Sequence, residues 1–171
     1  MRKNDMSFLT KVESKYIVEE VNADWKDWVK KAAGLMVGVV MFTQTAKGME
    51  MKNPQALSHS AQQVIQKEAK QTHSKHNYEV KVDVKHKTAQ GTEVEGQEVH
   101  YKVLKNGKVS GTVIFFGLTP SKLQQIRDKG VNADSNFLAA NVTKDSDPLV
   151  RGITQAIRDS IRSDIDEAGE F

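Results

Sequence analysis

The stretch EVHYKVLKNGKVSGTVIFFG, residues 98–117, carries alternating side chains on either side of Asn106-Gly107. An Asn-Gly pair accepts the two positive φ angles of a type I′ turn, and that turn joins antiparallel strands with the correct twist. The stretch therefore predicts a β-hairpin. On its N-terminal side, YEVKVDVKHK (78–87) puts Tyr78, Val80, Val82 and Val84 on one phase. Glu79, Lys81, Asp83 and Lys85 fall on the other, the pattern of a strand with one buried and one wet face. The linker TAQGTEVEG (88–96) joins this strand to the hairpin, which makes a three-stranded antiparallel sheet. In GTVIFFG both phases are apolar: Val113 and Phe115 point one way, Ile114 and Phe116 the other. Such a strand is either central with two covered faces or part of an interface.

The flanks read as helices. The three prolines stand in Asn53-Pro54, Thr119-Pro120 and Asp147-Pro148. Each follows a residue able to cap a helix, and proline suits the first helical position because its missing N–H has no partner there anyway. Thr10 and Glu13 add a fourth start at capping-box spacing. From there Ile17, Val21, Trp25, Trp28, Ala32 and Leu35 form one stripe of an amphipathic helix expected to continue to about Phe42. Leu57, Ala61, Val64 and Ile65 mark a second helix, ending in QTHSKHN. Leu149, Val150, Ile153, Ile157, Ile161 and Ile165 mark the last, with Arg151, Arg158 and Arg162 toward water. KGVNADSNFLAANVTKDSD (129–147) reads as irregular.

The expected fold is thus α+β in the order α-α-β-β-β-α-α: a long N-terminal amphipathic helix, then a three-stranded sheet with helices on one face. Residues 1–50 form the N-terminal helical segment and 51–171 the compact domain. At 171 residues the chain is long enough to bury a real core, and its 38% hydrophobic and 27% charged content argues against global disorder.

The least polar run, Ala32 to Phe42, follows Lys30 and Lys31. As a helix it is roughly 17 Å long, against about 30 Å of bilayer hydrocarbon. A secretion signal has that length and a basic lead-in, yet here about thirty residues precede the run. Gly34 and Gly38 stand at the GxxxG spacing that lets helices approach closely. Residues 30–46 read first as a buried or oligomer-facing helix, second as a membrane-touching segment, third as a signal. A bacterial cytoplasmic or membrane-associated setting accordingly ranks ahead of export.

Chemistry-bearing patterns are sparse. Without cysteine there are no disulfides, thiolate metal sites or cysteine nucleophiles. His73 and His76 are three apart, but His59, His86 and His100 complete no ligand spacing, so no metal or cofactor is expected. No serine sits in a GxSxG elbow, and no glycine-rich phosphate loop is present. Catalysis ranks last.

Charge is uneven: net +1 over 1–50, +6 over 51–130 and −4 over 131–171. Lys81, Lys85 and Lys87 on the first strand and Lys102, Lys105 and Lys108 at the hairpin make a candidate phosphate-contacting ribbon. The alternative is a solvated edge whose lysines block strand-to-strand aggregation. The leading expectation is a non-enzymatic assembly or interaction protein that self-associates, as in a bacterial envelope machine or phage particle. Trp25, Trp28, Gly34 and Gly38 are its candidate contacts with protein partners. A nucleic-acid-binding accessory protein using the basic hairpin is second.

Overall fold

The computed structural model describes residues 23–45, 48–88, 94–129 and 137–169. The elements in chain order are α1 (Ala23–Met36), β1 (Phe42–Thr45), β2 (Gly48–Met51), α2 (Pro54–Gln71) and β3 (Tyr78–Thr88). They continue with β4 (Val94–Lys105), β5 (Lys108–Phe116), α3 (Pro120–Lys129), β6 (Leu138–Val142) and α4 (Pro148–Gly169). The class is α+β, as expected, but there are two antiparallel sheets: β1-β2, and a four-stranded sheet ordered β3-β4-β5-β6. The Thr10–Glu13 helix start and most of the 88–96 linker lie outside the described residues.

The Asn106-Gly107 turn forms as expected, with φ of 53° and 81°, and joins β4 to β5. The alternation of β3 to β5 survives as two faces. Val99, Tyr101, Val103, Val113 and Phe115 are fully buried on the inner face. α2 packs under β3, α4 under β4, β5 and β6, and α1 lies against α4 and α2. Val150, Ile153, Ile157, Ile161 and Ile165 of α4 are all at 0% exposure, so the 3.6-residue period seen in sequence is the core-facing stripe. Burying each of these side chains favours folding by about 1.5–3 kcal/mol. Arg151, Arg158 and Arg162 are half-buried rather than fully wet. Arg151 bonds the Ser146 and Lys144 carbonyls, and Arg158 pairs with Asp159 at 3.3 Å.

Three expectations are corrected. The N-terminal helix does not reach Phe42. It ends at Met36, because Gly38 adopts φ +85°, a left-handed stop, and Val39, Val40 and Phe42 favour extended backbone. The chain instead turns into the β1-β2 hairpin, which the apolar run masks in sequence. Finally, the sheet has a fourth strand: LAANV (138–142) pairs with β5, setting Leu138 against Phe115 and Ala140 against Val113. Five residues with two buried positions give too weak an alternation to stand out in sequence.

The small hairpin is tied to the main sheet by backbone and amide bonds. Met49 and Leu118 exchange two hydrogen bonds, at 2.7 and 3.0 Å. The buried Gln97 amide pairs with both backbone groups of Met51 like an extra strand residue, at 2.8 and 3.0 Å. Asn53, expected to cap α2, instead accepts the Met41 N–H at 2.9 Å and makes no side-chain cap bond. Phe42 then meets Phe115 edge-on at 5.8 Å. Position 50 thus falls inside β2, and residues on both sides of it share one core.

Candidate interaction surface

α1 reaches α4 through a row of small residues. Gly152, Ala156, Ser160 and Asp164 recur every four residues along one face of α4. A methyl group at Gly152 would meet the Trp28 ring at 2.0 Å, so only glycine admits the indole there. At the other end of the row the buried Asp164 carboxylate accepts the Gly38 N–H at 2.7 Å, holding the turn that ends α1. Ala32 and Met36 of α1 are buried at 1% and 0%. The close-approach glycine is therefore Gly152. A methyl group placed on Gly34 would meet no atom within 4 Å, and Gly38 lies beyond the helix end, so this pair does not form a helix-packing motif within α1. The spacing of Gly152, Ala156 and Ser160 is legible in sequence, but the adjoining isoleucine stripe is the stronger signal.

Trp28 is only half-buried, because its ring also lines a groove between α1 and α2 of about 320 Å³. Ala32, Leu35 and Val64 supply the rest of its apolar wall, and Lys31, Lys67 and Glu68 are the charged residues of its lining. Trp25 lies on α1, but its side chain is outside the described residues. Beyond the groove α1 ends in an apolar tip. Leu35, Val37 and Met41 are 63%, 40% and 54% exposed, whereas the only other exposed large apolar side chain among the described residues is Val109. Soluble surfaces scatter such residues singly, whereas here three stand within seven positions of the chain. Lys30, Lys31 and Lys52 are exposed nearby in sequence or across the hairpin, since Lys52 donates its N–H to the Met41 carbonyl.

The six lysines of the basic ribbon are not brought together. Lys81, Lys85 and Lys102 share the outer face of the sheet. Lys102 is engaged there by Asp83 at 3.0 Å, and the hydrogen bond from Lys102 holds the Asp83 carboxyl below its usual range. Lys105 points to the inner face and pairs with Asp147 at 3.1 Å. Lys108 is exposed beyond the turn, and the Lys87 side chain lies outside the described residues. Glu98 and His100, 2.6 Å apart, add an acidic partner to the same outer face.

Around Lys105 lies the densest polar cluster. Tyr78 donates its hydroxyl to Asp147, whose other oxygen caps α4 by accepting the Val150 N–H at 2.9 Å. Burial, then the bond to Asp147, pushes Tyr78 up to about 12, so the phenol stays protonated and keeps donating. Burial alone would raise Asp147, but the bonds from Tyr78, Val150 and Lys105 outweigh it and hold the carboxyl below its ordinary value. The cluster clasps the start of α4 to β3 and β4. Nearby, Asn106 links the hairpin turn to Asn77 and His76.

Among the described residues no group of three histidines or carboxylates is placed to hold a metal, and no helix is long and apolar enough to cross a membrane. Known family models, curated proteins and solved structures yield no match to this chain.

Proposed function

We propose that this chain is a non-enzymatic assembly protein that self-associates and docks on protein partners through the end of α1. The observation that carries the reading is the tip formed by Leu35, Val37 and Met41 beside the Trp28 groove. Placing those side chains in water leaves apolar area uncovered, and covering it favours association by about 25 cal/mol per Å². The groove supplies a concave anchor site beside a flat apolar edge, an arrangement suited to a partner's large side chain. Two lysines against one carboxylate in that lining give the groove a net positive balance, which favours an acidic partner.

A bacterial envelope machine or phage particle is the setting this reading has in view. The nucleic-acid alternative has less support, because Lys102 and Lys105 are already paired with carboxylates on opposite faces. Sedimentation of the full chain over a range of concentrations tests the assembly reading. A discrete oligomer that Leu35→Ser with Met41→Ser weakens is the expected result. A wild-type chain that stays monomeric and captures no partner through this tip would sink it.

A further inference from the structure

Self-association through the α1 tip does not use the sheet, and β3 carries a second surface at which two copies can join. β3 is an edge strand of the four-stranded sheet, with β4 on one side only. Val80 donates its N–H to the Gln62 side chain at 3.1 Å, not to β4. In an antiparallel strand the backbone groups of alternate residues point to opposite sides. The even-numbered residues of β3 therefore turn theirs to the free edge. With any described residue, Val82 and Val84 make no hydrogen bond there.

An open edge is a hazard that lysines commonly guard. Here the guard has a pattern. Glu79, Lys81, Asp83 and Lys85 are all exposed on the outer face and alternate in sign. Glu79, Lys81 and Lys85 make no ion pair with any described residue. Consider two copies of β3 crossing antiparallel about a two-fold axis on Val82. Glu79 then faces Lys85 of the second copy, and Lys81 faces its Asp83. Symmetry repeats both pairs, so every outer-face charge between 79 and 85 meets its opposite. Moving the axis to Lys81 or Asp83 sets like on like. An axis on Val84 puts Lys81 against Lys87. On the inner face the Val82 axis stacks valine on valine, a favourable cross-strand pairing.

We infer that β3 is a self-complementary edge to which a second copy of this chain adds, antiparallel and centred on Val82. The union extends the four-stranded sheet into one of eight strands. In it the Val84 carbonyl of the second copy takes the place of the Gln62 amide oxygen on the Val80 N–H. Gln62 covers that donor while the chain is alone. The alternating charges then do two jobs: they pair most fully in the Val82 register and oppose the registers centred on Lys81 and Asp83, as specific pairing requires. This inference rests on the self-associating reading above and adds to the α1 tip a second surface between copies.

The test uses sedimentation velocity on the full-length chain, with circular dichroism to verify that each variant is folded. Lys81→Glu and Asp83→Lys each convert two attractive pairs into repulsive ones, and each is expected to raise the dimer dissociation constant about tenfold or more. The double variant Lys81→Glu with Asp83→Lys restores opposite charges and should regain the dimer. The chain has no cysteine, so single substitutions report contact directly. Val82→Cys should cross-link to itself on mild oxidation, since directly opposed bonded residues lie about 5.5 Å apart at Cα. Glu79→Cys should not, because its copy lies roughly 20 Å away along the strand. An oligomer that persists in Lys81→Glu but is weakened by Leu35→Ser with Met41→Ser overturns the β3 inference and leaves the tip reading standing. A double variant no better than the single ones also overturns it. A wild-type chain that is monomeric throughout overturns self-association and the β3 edge together.

Discussion

Two apolar regions of this molecule meet opposite fates. α4 places its apolar residues on one stripe, and five of them are completely buried. The run from Ala32 to Phe42 is denser in apolar residues, yet it splits. Ala32, Met36 and Val40 enter the core, while Leu35, Val37 and Met41 remain in water. A segment packed on one side, as α1 and the turn after it are, can bury only the residues that face that side. Apolar residues all round leave a surplus, and that surplus is what we assign to partners. Periodicity, more than total hydrophobicity, determined which side chains the fold could use.

Substitution can break this contrast. Ile157→Ala should destabilise the protein by about 2–5 kcal/mol, through lost burial and the cavity left among close-packed neighbours, as read by urea unfolding. Leu35→Ser should change the same measurement by less than about 0.5 kcal/mol in the monomer. Equal effects at the two positions would mean that the tip is packed rather than exposed.

The contact between the two regions is sharpened by Gly152→Ala. Alanine is the better helix former by about 1 kcal/mol, but its methyl collides with the Trp28 ring. Displacing a buried indole edge costs more, so a net loss of about 1–2 kcal/mol is expected. Trp28 emission should shift to the red, measured in a Trp25→Phe background. A stabilised variant with unchanged emission would show that α1 does not sit on the small-residue row.

A smaller effect is expected where α4 begins. Asp147→Ala removes the cap and the partner of Tyr78 and Lys105, with a loss of about 1 kcal/mol at neutral pH. The Asp147 carboxyl is held below its ordinary 3.8 in the folded chain, so its contribution is present above that value. It is lost as pH falls through the lower folded value. The stability difference between wild type and variant should therefore close in acid. A gap independent of pH would leave the loss to packing alone.

The parts legible in sequence are those with a strong local signal. The Asn-Gly turn and the strict alternation of Tyr78 to Lys85 disclosed β3 to β5, because turn geometry and side-chain period are set within a few residues. The proline-led starts at Pro54, Pro120 and Pro148 disclosed three helices. The candidate site was less legible. Trp28 stands out in sequence as a contact for partners, yet much of its ring is spent on Gly152 within the chain. The ribbon of lysines looks continuous in sequence, but Lys102 and Lys105 are an odd number of residues apart on one strand and so face opposite ways.

Sequence by itself determined the class, the inner and outer faces of three strands, and the isoleucine stripe of α4. It also set the alternating charges of β3, since each of these depends on spacing along a single element. Tertiary structure alone decided where α1 stops, that 42–45, 48–51 and 138–142 become strands, and which apolar residues of the 32–42 run stay in water. Those outcomes turn on contacts between distant segments: Asp164 with Gly38, Met49 with Leu118, Gln97 with Met51, and Leu138 with Phe115. The physical reason is that a short apolar stretch serves equally as helix or strand until neighbours satisfy its backbone groups. Here those neighbours lie from 23 to 126 positions away, as with Leu138 and Phe115 in the β5–β6 register or Gly38 and Asp164.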